Sequence, residues 1–557
     1  MMEKKPVEVP VGAIKYNTKG RKNVSVYVTS EKIYNKEKKY NINKRKCIGK
    51  MIDDTHMLPN DVFYEFYPEL LPLEEPTQKS GSIRIGFYII LFFIVEKLEL
   101  NNILDTVYSD KANIIKDLAT YLIISEDNVM QHFPDYEYNH PQFHDSVVSD
   151  SYVSELLKNM PINQHEYFLE LWNEKQPHDE KIYIDIDSTN SSTSSKGIEL
   201  AEIGHAKIDK GLPIVNTALA ISSTTGKPLF YEDYPGCIID NTQFSNMVDR
   251  AEMYGYSNIG FILDRGYFSK ANIRFLEENG YSFIMMAKGN AVFIRESIDQ
   301  ARTVFENNSS YYISEKGLYG ITIKRKLYSD DTKERFIHVF WDKKRAIEEE
   351  CRILNMLTAA EFDLDKMINL KKIDKSVLKH FDSFFNIQYN EENDQIISYN
   401  RNEENIKKEL NRCGCFAIIT SDEMNTKEAL YRYRHRDAIE KLFEVSKSFL
   451  GEDSFRVHNT ESLHSKQQLL FLAEILRNEV FNGLSELREK DKKNYTVPSV
   501  IREMEKIEIL ENSKGIYRLR FNLTKKQKAI LDCLGIDENS FKKIVQEICD
   551  KYNKKQY

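Results

Sequence analysis

The stretch KIYIDIDST at residues 181–189 combines β-branched and aromatic residues with two aspartates near its end. A short run of this composition is typical of a buried β-strand. Before it, over residues 82–172, apolar residues recur every three and four positions, which predicts helices. After it, residues 212–234 predict two more strands joined by a TTGK turn. The stretch therefore opens a β-sheet whose first three strands follow one another as a meander.

Helices and strands alternate after the third strand. The sequence predicts a helix, a strand, a helix and a strand at residues 242–254, 258–264, 270–279 and 281–289. The resulting order βββαβαβ is typical of an RNase H-like α/β domain. Residues 290–412 then contain a basic strand pair and a long charged helix, which we interpret as a β-containing insertion. The apolar run FAIIT at 416–420 restores the core pattern, and a long helix over about 426–450 follows it.

The charge is distributed unevenly along the chain. The first fifty residues contain 14 Lys and Arg against 4 Glu, a net charge of +10, and since the whole chain carries −8, the remainder carries −18. Residues 21–50 alternate in the manner of a small β-hairpin, so the sequence predicts a basic β-rich arm on a more acidic body. Such an arm either binds the phosphates of a nucleic acid or is a solvated, mobile terminus.

The cysteines and the apolar runs predict a reduced protein outside the membrane. None of the seven cysteines forms a CxxC pair, so we expect free thiols without a disulfide framework or a zinc site. The longest purely apolar run, residues 87–95, is about half the length that spans a bilayer, which predicts a buried helix. The chain starts without an apolar signal segment. We therefore expect a cytoplasmic protein with no membrane contact.

Two aspartates lie where predicted core strands end. Asp187 closes the first strand and Asp264 closes the fourth, and in a sheet of this order those strands are neighbours. Their carboxylates would then converge on one edge of the sheet. An aspartate at a strand end is also a common turn former or helix cap, so position alone is weak evidence. Asp185 shares a face with Asp187 and stays an alternative to it, because residues i and i+2 of a strand point the same way.

The stretch YRYRHRDAIEKLFEVSK at residues 431–447 places four polar residues on one stripe of a predicted helix. Tyr433, Arg436, Glu440 and Lys447 lie at offsets of 0, 3, 7 and 14, which fall on one face at 3.6 residues per turn. Such a stripe could hold a metal ligand among phosphate contacts. An ordinary solvated helix face with i,i+4 ion pairs is the alternative. The strand-end aspartates favour the first interpretation.

These motifs resemble those of a known family. The four residues of the stripe, separated by two, three and six residues, resemble the YREK signature of insertion-sequence DDE transposases. DST at 187–189 resembles the first D-x-T motif of this family, and LDRGY at 263–267 resembles the second, DRG, motif. YPGCIID at 234–240 is similar to the Gly-x-x-x-Asp turn of the family, although Cys237 stands where Asn or Ser is usual. The resemblance covers roughly residues 180–290 and 412–480.

The resemblance implies a cut-and-paste transposase that binds the inverted repeats at transposon ends, hydrolyses phosphodiesters and transfers strands. Asp187, Asp264 and Glu440 would be its catalytic metal ligands for two Mg²⁺ or Mn²⁺ ions, which suit carboxylate oxygens. Arg436 and Lys447 would hold phosphates and Tyr433 would contact the DNA. Double-stranded DNA would be the partner, and a homodimer would form on it because two ends must be cut together. Trp341, flanked by basic residues, could stack on a displaced base or simply pack within the insertion.

The predicted domain organisation has six regions. They are a basic β-rich region (1–75), a helical domain expected to bind DNA (76–178) and the first part of an RNase H-like core (179–289). The insertion domain (290–412), the second part of the core with the Glu440 helix (413–480) and a helical C-terminal region (481–557) follow. A capping box from Thr524 to Gln527 predicts a helix start in the last region.

Two other functions fit parts of the sequence. DIDST at 185–189 also matches the DxDxT motif of haloacid-dehalogenase-type phosphatases, in which Asp185 would be the nucleophile and Asp187 the general acid. Such a phosphatase leaves the stripe unexplained, and the sequence lacks a GDxxxD motif. The second alternative is a non-catalytic DNA-binding protein derived from a transposase, against which the intact Asp, Asp and Glu set argues.

Overall fold

The computed structural model describes residues 6–17, 24–35, 39–70, 80–178, 181–206, 211–306, 308–368, 375–392, 395–436, 454–512 and 514–554. The chain divides into two compact units. The first consists of Met1–Ile83, Ile509–Arg520 and Gln546–Tyr557, and the second of Arg84–Glu508 and Phe521–Val545. Two residues of the predicted stripe, Glu440 and Lys447, lie outside the described residues.

The first unit contains a five-stranded antiparallel sheet. Its strands are β1 (Val7–Glu8), β2 (Ile14–Tyr16), β3 (Ser25–Asn35), β4 (Tyr40–Met51) and β5 (His56–Pro59), in the order β1-β5-β4-β3-β2. The hairpin predicted within 21–50 is the β3–β4 pair. The sheet and the short helix Asp61–Phe66 bury a small core of Val26, Ile48, Met57 and Phe63. The basic outer part of β4, residues 40–46, is exposed.

A second, three-stranded sheet combines β6 (Ser82–Arg84) with β18 (Glu508–Glu511) and β19 (Tyr517–Leu519). The sequence predicts only helices in the C-terminal region, and this strand pair is a correction to that prediction. The turn between the strands needs Gly515, whose φ of +77° lies in the left-handed region that favours glycine. The predicted capping box is present: the Thr524 hydroxyl accepts from the Gln527 N–H, and the Gln527 side chain accepts from the Thr524 N–H.

The second unit contains a helical part built around one long helix, Thr460–Gly483. Most of its side chains are buried, because it packs against helices on several sides and against a strand of the large sheet. The helices on the amino-terminal side are Gly86–Lys97, Leu100–Tyr108, Ala112–Ser125, Phe133–Glu137, Asp150–Asn159 and Ile162–Glu174. The apolar run 87–95 lies in the first of these and is buried, as predicted. Of the described helices, none has the length and apolar character to cross a membrane.

A nine-stranded mixed sheet forms the rest of the second unit. Its strands are β7 (Ile182–Ser192), β8 (Ile214–Ser222), β9 (Pro228–Pro235), β10 (Ile259–Leu263), β11 (Ser282–Met286), β12 (Tyr312–Ile313), β13 (Leu318–Arg325), β14 (Arg335–Trp341) and β17 (Cys415–Thr420). They lie in the order β12-β13-β14-β17-β11-β10-β7-β8-β9. β7, β8 and β9 are the predicted antiparallel meander, whereas β7, β10 and β11 run parallel to one another. The helices Asp240–Met253 and Lys270–Glu278 connect these strands in the predicted chain order.

The predicted insertion at 290–412 differs from the structure in its first part. After the helix Val292–Phe305, strands β13 and β14 extend the large sheet, and β14 pairs with β17 over its whole length. Most β14 side chains are buried, so this strand needs covered faces and a hydrogen-bonded neighbour on each side. The chain outside the sheet is shorter than predicted and has its own apolar cluster. It consists of helices Lys343–Ile368, Lys375–Leu378 and Glu403–Arg412 and the hairpin of β15 (Phe385–Asn390) and β16 (Gln395–Arg401).

The remaining features of the fold are the C-terminal helices, the cysteines and the helix that begins at Thr426. The C-terminal helices are Ser485–Lys490, Val497–Met504, Lys525–Cys533 and Glu538–Lys554. All seven cysteines are free thiols. The long helix predicted over about 426–450 is a helix only over Thr426–Arg434 within the described residues, and the two residues after it form a turn.

Candidate active site

Strand pairing brings two predicted site residues together at one point of the large sheet. β7 and β10 are parallel neighbours in which Ile186 lies opposite Leu263. Asp187 and Asp264 are the next residues on their strands. β10 ends at Leu263 while β7 continues to Ser192, so β10 does not pair with β7 from Asp187 onward. The two carboxylates therefore meet where one strand stops and its neighbour continues.

A single guanidinium links these two carboxylates. Nη2 of Arg436 lies 2.7 Å from Oδ2 of Asp187, and Nη1 lies 3.5 Å from Oδ1 of Asp264. The Arg436 side chain is 7% exposed, against 18% for Asp187 and 33% for Asp264. Burial disfavours the charged form, but Asp187, Tyr433 and Asp264 together raise the pKa of Arg436 above its ordinary value. The guanidinium is thus a fixed positive charge between two acids.

Tyr433 lies beneath the same group. Its ring is buried in the apolar cluster that includes Ile284 and Leu430. Its hydroxyl donates to Oδ1 of Asp264 at 3.4 Å and accepts from Nη1 of Arg436 at 3.4 Å. The side chain therefore supports the two charged groups from the core side. Its predicted contact with DNA stays a prediction.

The helix that carries Tyr433 ends one residue later. The helix Thr426–Arg434 begins with an Asn425 cap, and the N–H of Arg436 donates to the Tyr433 carbonyl at 3.1 Å, an i→i−3 bond that tightens the chain into a turn. Arg436 therefore lies beyond the helix, where the sequence predicts a continuous helical stripe. Tyr433 and Arg436 nevertheless reach the same carboxylate.

Asp185, the alternative to Asp187, is placed very differently. Its side chain is only 1% exposed, and Oδ1 has no hydrogen-bond partner among the described residues. Burial raises the pKa of this carboxyl well above its ordinary range, since the nearby Arg436 compensates only in part and the Asp187 charge adds to the shift. A carboxyl that is 1% exposed is closed to a metal ion or a substrate, whereas the Asp187 side chain is 18% exposed. The structure therefore favours Asp187 and weighs against the phosphatase alternative.

Hydrogen bonds from residues of the D-x-T and DRG motifs, and from Asn272, fix the turn after Asp264. Residues Arg265–Tyr267 form a 3-10 turn in which the Tyr267 N–H donates to the Asp264 carbonyl at 3.0 Å. The buried Tyr267 hydroxyl lies 2.6 Å from the Ser188 hydroxyl, which joins this turn to β7. The Asn272 side chain donates to the Tyr267 carbonyl at 2.9 Å. These bonds hold the loop that carries Asp264 against the strand that carries Asp187.

An open cleft of about 430 Å³ adjoins Asp264. It is lined by Asp264, Arg265, Gly266, Lys288, Gly289 and Asn290. Arg265 and Lys288 are exposed and bring positive charge to its surface. Lys288 follows β11, which is parallel to β10, so it lies at the same sheet edge as Asp264. The sequence predicts a strand over 281–289 that includes Lys288, whereas the observed strand ends at Met286, and a lone lysine carries no motif.

A comparison with protein families identifies the family of the chain. The family model described as a transposase DDE domain matches residues 179–476, which is more than half of the chain. The chain belongs to this transposase family. The matched residues include both aspartates, both cleft cations and Arg436.

One solved structure and the curated proteins complete the comparison. The chain is similar to a piggyBac transposase in a cryo-EM synaptic complex with hairpin DNA, at 8% identity and a TM-score of 0.30. The match covers 74% of this transposase and 61% of that chain, so this transposase spans less than two thirds of the solved protein. No curated protein matches it.

Trp341 of this transposase is placed among other side chains at the end of β14. One face of its ring is covered by the Arg302 guanidinium, 3.6 Å from the ring centre. The rings of Phe305 and Tyr319 lie 6.5 and 5.5 Å away. β14 is three strands from β10, a separation of about 14 Å at about 4.8 Å per strand. These contacts favour the packing role, and stacking on a base stays a prediction.

The donor set suits a hard divalent cation. Carboxylate oxygens are the ligands that Mg²⁺ and Mn²⁺ prefer, and the partial exposure of Asp187 and Asp264 leaves them accessible. Both carboxylates also contact the Arg436 guanidinium. Among the residues that the structure describes, no group of three His, Cys, Asp or Glu residues could hold a metal, and Glu440 lies outside that part of the chain. The two aspartates of the transposase thus fit as part of a metal site.

Proposed function

We propose that this transposase cuts and joins DNA by a two-metal DDE mechanism, with Asp187, Asp264 and Glu440 as its metal ligands. The observation that carries the proposal is the pairing of β7 with β10, which brings two aspartates of the matched domain to one buried guanidinium. The sequence pattern alone supplies Glu440, because its position in the YREK spacing is its only support.

We further assign the catalytic domain to the RNase H-like fold and the chain to the YREK insertion-sequence class. Strands β9, β8, β7, β10 and β11 support the fold, since three antiparallel strands are followed by two parallel ones with helices between them. The convergence of Tyr433 and Arg436 on Asp264 supports the class. The six predicted regions, at 1–75, 76–178, 179–289, 290–412, 413–480 and 481–557, stay part of the proposal, except that β13 and β14 extend the core sheet and the last region also contains β18 and β19.

The residues of the chain would divide the work as follows. Two Mg²⁺ or Mn²⁺ ions supply activation of the attacking water or 3′-hydroxyl and stabilisation of the leaving oxygen. Asp187 and Asp264 would bind the ions through their carboxylate oxygens. Strand pairing and the Ser188–Tyr267 hydrogen bond hold these two residues in place. Lys288 and Arg265 line the cleft beside Asp264 and attract a phosphate there. No side chain needs to act as a general base.

The partners follow from the same reaction. Double-stranded DNA at transposon ends and at the target is the substrate, and the two ends require at least a homodimer on the DNA. The exposed basic strand of the first unit and the helical domain at 76–178 are proposed to bind the duplex, and Lys447 to hold a phosphate near the cut. Binding should weaken steeply as salt rises, because phosphate contacts release counter-ions. We place the protein in the cytoplasm of a prokaryotic cell, at the nucleoid.

Metal-dependent cleavage of the element's own DNA tests the proposal. The full chain is incubated with a plasmid that carries its gene and the genomic sequence on both sides, with Mg²⁺, Mn²⁺ or EDTA. Cleavage at inverted repeats flanking the gene is expected with either metal and not with EDTA. Asp264→Asn should abolish cleavage while it retains binding to the same DNA. Asp249→Asn, an exposed acid on the helix Asp240–Met253, is the matched control and should cleave normally.

Three outcomes would contradict the proposal. Cleavage in EDTA, or by Asp264→Asn at the wild-type rate, would remove the metal-carboxylate mechanism. DNA binding without cleavage by the wild-type chain under every metal condition would favour the non-catalytic alternative.

A further inference from the structure

Arg436 contacts both carboxylates that the proposed function assigns to a divalent cation. Two nitrogens of its guanidinium contact Asp187 and Asp264, at 2.7 and 3.5 Å. The guanidinium is less exposed than either acid, so it lies on the inner side of both. A cation bound to both aspartates would take up oxygen lone pairs that the guanidinium now uses, Oδ2 of Asp187 above all.

The charges oppose simultaneous occupancy. Asp187 and Asp264 bring two negative charges, and Arg436, which contacts both, brings one positive charge. A divalent ion placed within about 4 Å of a guanidinium is repelled by it, and partial burial strengthens the repulsion relative to water. The same arginine that offsets half of the charge of the two acids therefore works against metal binding.

We propose that Arg436 is an exchangeable counter-ion: it pairs with Asp187 and Asp264 and offsets one of their two charges, and it must release Asp187 before a divalent cation binds there. This inference rests on the proposed function, because it takes the two aspartates as metal ligands. It assigns Arg436 a role different from the phosphate contact that its place in the stripe suggests.

The two roles of Arg436 exclude each other in space and are linked in energy. A guanidinium that pairs with Asp187 is not available to a phosphate, and one drawn to a phosphate leaves Asp187 open. DNA phosphate and divalent metal would then favour the same state of the protein. Each ligand should therefore raise the affinity for the other by the same factor, as linkage requires. In this way the metal site would become competent mainly on the DNA.

The first experiment measures Mn²⁺ affinity without DNA by titration calorimetry on the full chain. We expect Arg436→Gln to bind Mn²⁺ at least about ten-fold more tightly than the wild type, a change of about 1.4 kcal/mol. Arg436→Lys keeps the charge and should stay close to the wild type. Arg434→Gln removes the same charge two residues away, where the described residues contain no ion pair of Arg434, and is the matched control. Asp264→Asn should lose the Mn²⁺ site.

The second experiment needs no variant of Arg436. Phenylglyoxal modifies accessible arginines, and Arg436 is buried. We expect Mn²⁺ to increase the modification of Arg436, measured by peptide mass spectrometry, whereas a ligand usually protects the residues around it. The increase should be absent in Asp264→Asn.

The outcomes separate this inference from the proposed function. Asp264-dependent Mn²⁺ binding that Arg436→Gln leaves unchanged or weakens would overturn the exchange and would mark Arg436 as a clamp that positions the acids. Protection of Arg436 by Mn²⁺, or an increase that persists in Asp264→Asn, would overturn it as well. Absence of any Asp264-dependent Mn²⁺ binding, in the wild type and in Arg436→Gln, would count against the metal site of the proposed function and would remove the exchange with it.

Discussion

A buried lysine ties two distant segments of the second unit together. Lys466, on the helix Thr460–Gly483, is 1% exposed and donates to the carbonyls of Asn128 and Phe455 at 2.7 and 2.5 Å. Burial and, to a smaller extent, the Arg456 charge lower the pKa of Lys466 from 10.5 to about 7, while Asp127 opposes the shift. Replacing Lys466 with Met removes the charge and both hydrogen bonds while it keeps most of the volume.

The lowered pKa makes stability depend on pH with a definite sign. Between pH 7 and 10.5 the unfolded chain binds more protons at this lysine than the folded chain, so the free energy of unfolding rises with pH. With these pKa values, the buried lysine lowers the free energy of unfolding by about 4 kcal/mol at pH 7 and by about 2 kcal/mol at pH 9. From pH 7 to pH 9 the titration of Lys466 should therefore raise the free energy of unfolding of the wild type by about 2 kcal/mol. Lys466→Met lacks this group and should not show this increase.

The hydrogen bonds act in the opposite direction at pH 7. Each carbonyl that loses its donor costs about 1–3 kcal/mol, which is similar in total to the relieved penalty of the buried charge. The variant should then be close to the wild type at pH 7 and about 2 kcal/mol less stable than the wild type at pH 9. Comparing the two proteins at both pH values cancels the titration of every other group.

Urea unfolding followed by circular dichroism at pH 7 and pH 9 measures this difference. Lys466→Arg is the control, since arginine stays charged throughout the interval and also removes the pH dependence without removing the donor. Equal changes in the free energy of unfolding between pH 7 and pH 9, in the wild type and in Lys466→Met, would refute the reasoning.

Three further predictions concern single side chains. Asp185→Asn should keep Asp264-dependent Mn²⁺ binding in calorimetry, while Asp187→Asn should weaken it at least about ten-fold; the reverse order would make Asp185 the ligand. Trp172→Phe should lower the free energy of unfolding in urea by about 1–3 kcal/mol, because the buried Pro228 carbonyl loses the indole donor at 2.9 Å; an unchanged midpoint would show that another donor replaces it. Trp341→Leu should lower the melting temperature in calorimetry and leave DNA affinity in a filter-binding assay unchanged, whereas loss of affinity without loss of stability would favour base stacking.

The central part of the sheet was predictable because its signals are local. Each strand and helix between 181 and 289 is marked by its own periodicity, and the chain order of those elements agrees with the structure. The adjacency of Asp187 and Asp264 then followed from the expected sheet order, and the pairing of β7 with β10 agrees with it. The predicted role of the two residues as metal ligands stays a prediction.

Contacts between distant parts of the chain were not visible in the sequence. β14 pairs with β17 although more than seventy residues separate them, and no local pattern tells a strand inside an insertion from one that extends the main sheet. The bond between Arg436 and Asp187 also joins residues that are far apart, and it requires the helix to end at Arg434. The burial of Asp185 depends on what covers its strand, which periodicity cannot supply.

Buried cations hold the chain on both sides of the segment 437–453, in which Glu440 lies. Before it, Arg436 is bound by two aspartates, and after it, the Phe455 carbonyl accepts from Lys466. The two attachments differ in what they control. Arg436 touches the acids themselves, whereas Lys466 touches only backbone, so Lys466→Met should keep Mn²⁺ binding at Asp187 and Asp264 yet slow DNA cleavage if Glu440 depends on the second attachment for its position. Full cleavage by this variant would mean that the first attachment is sufficient.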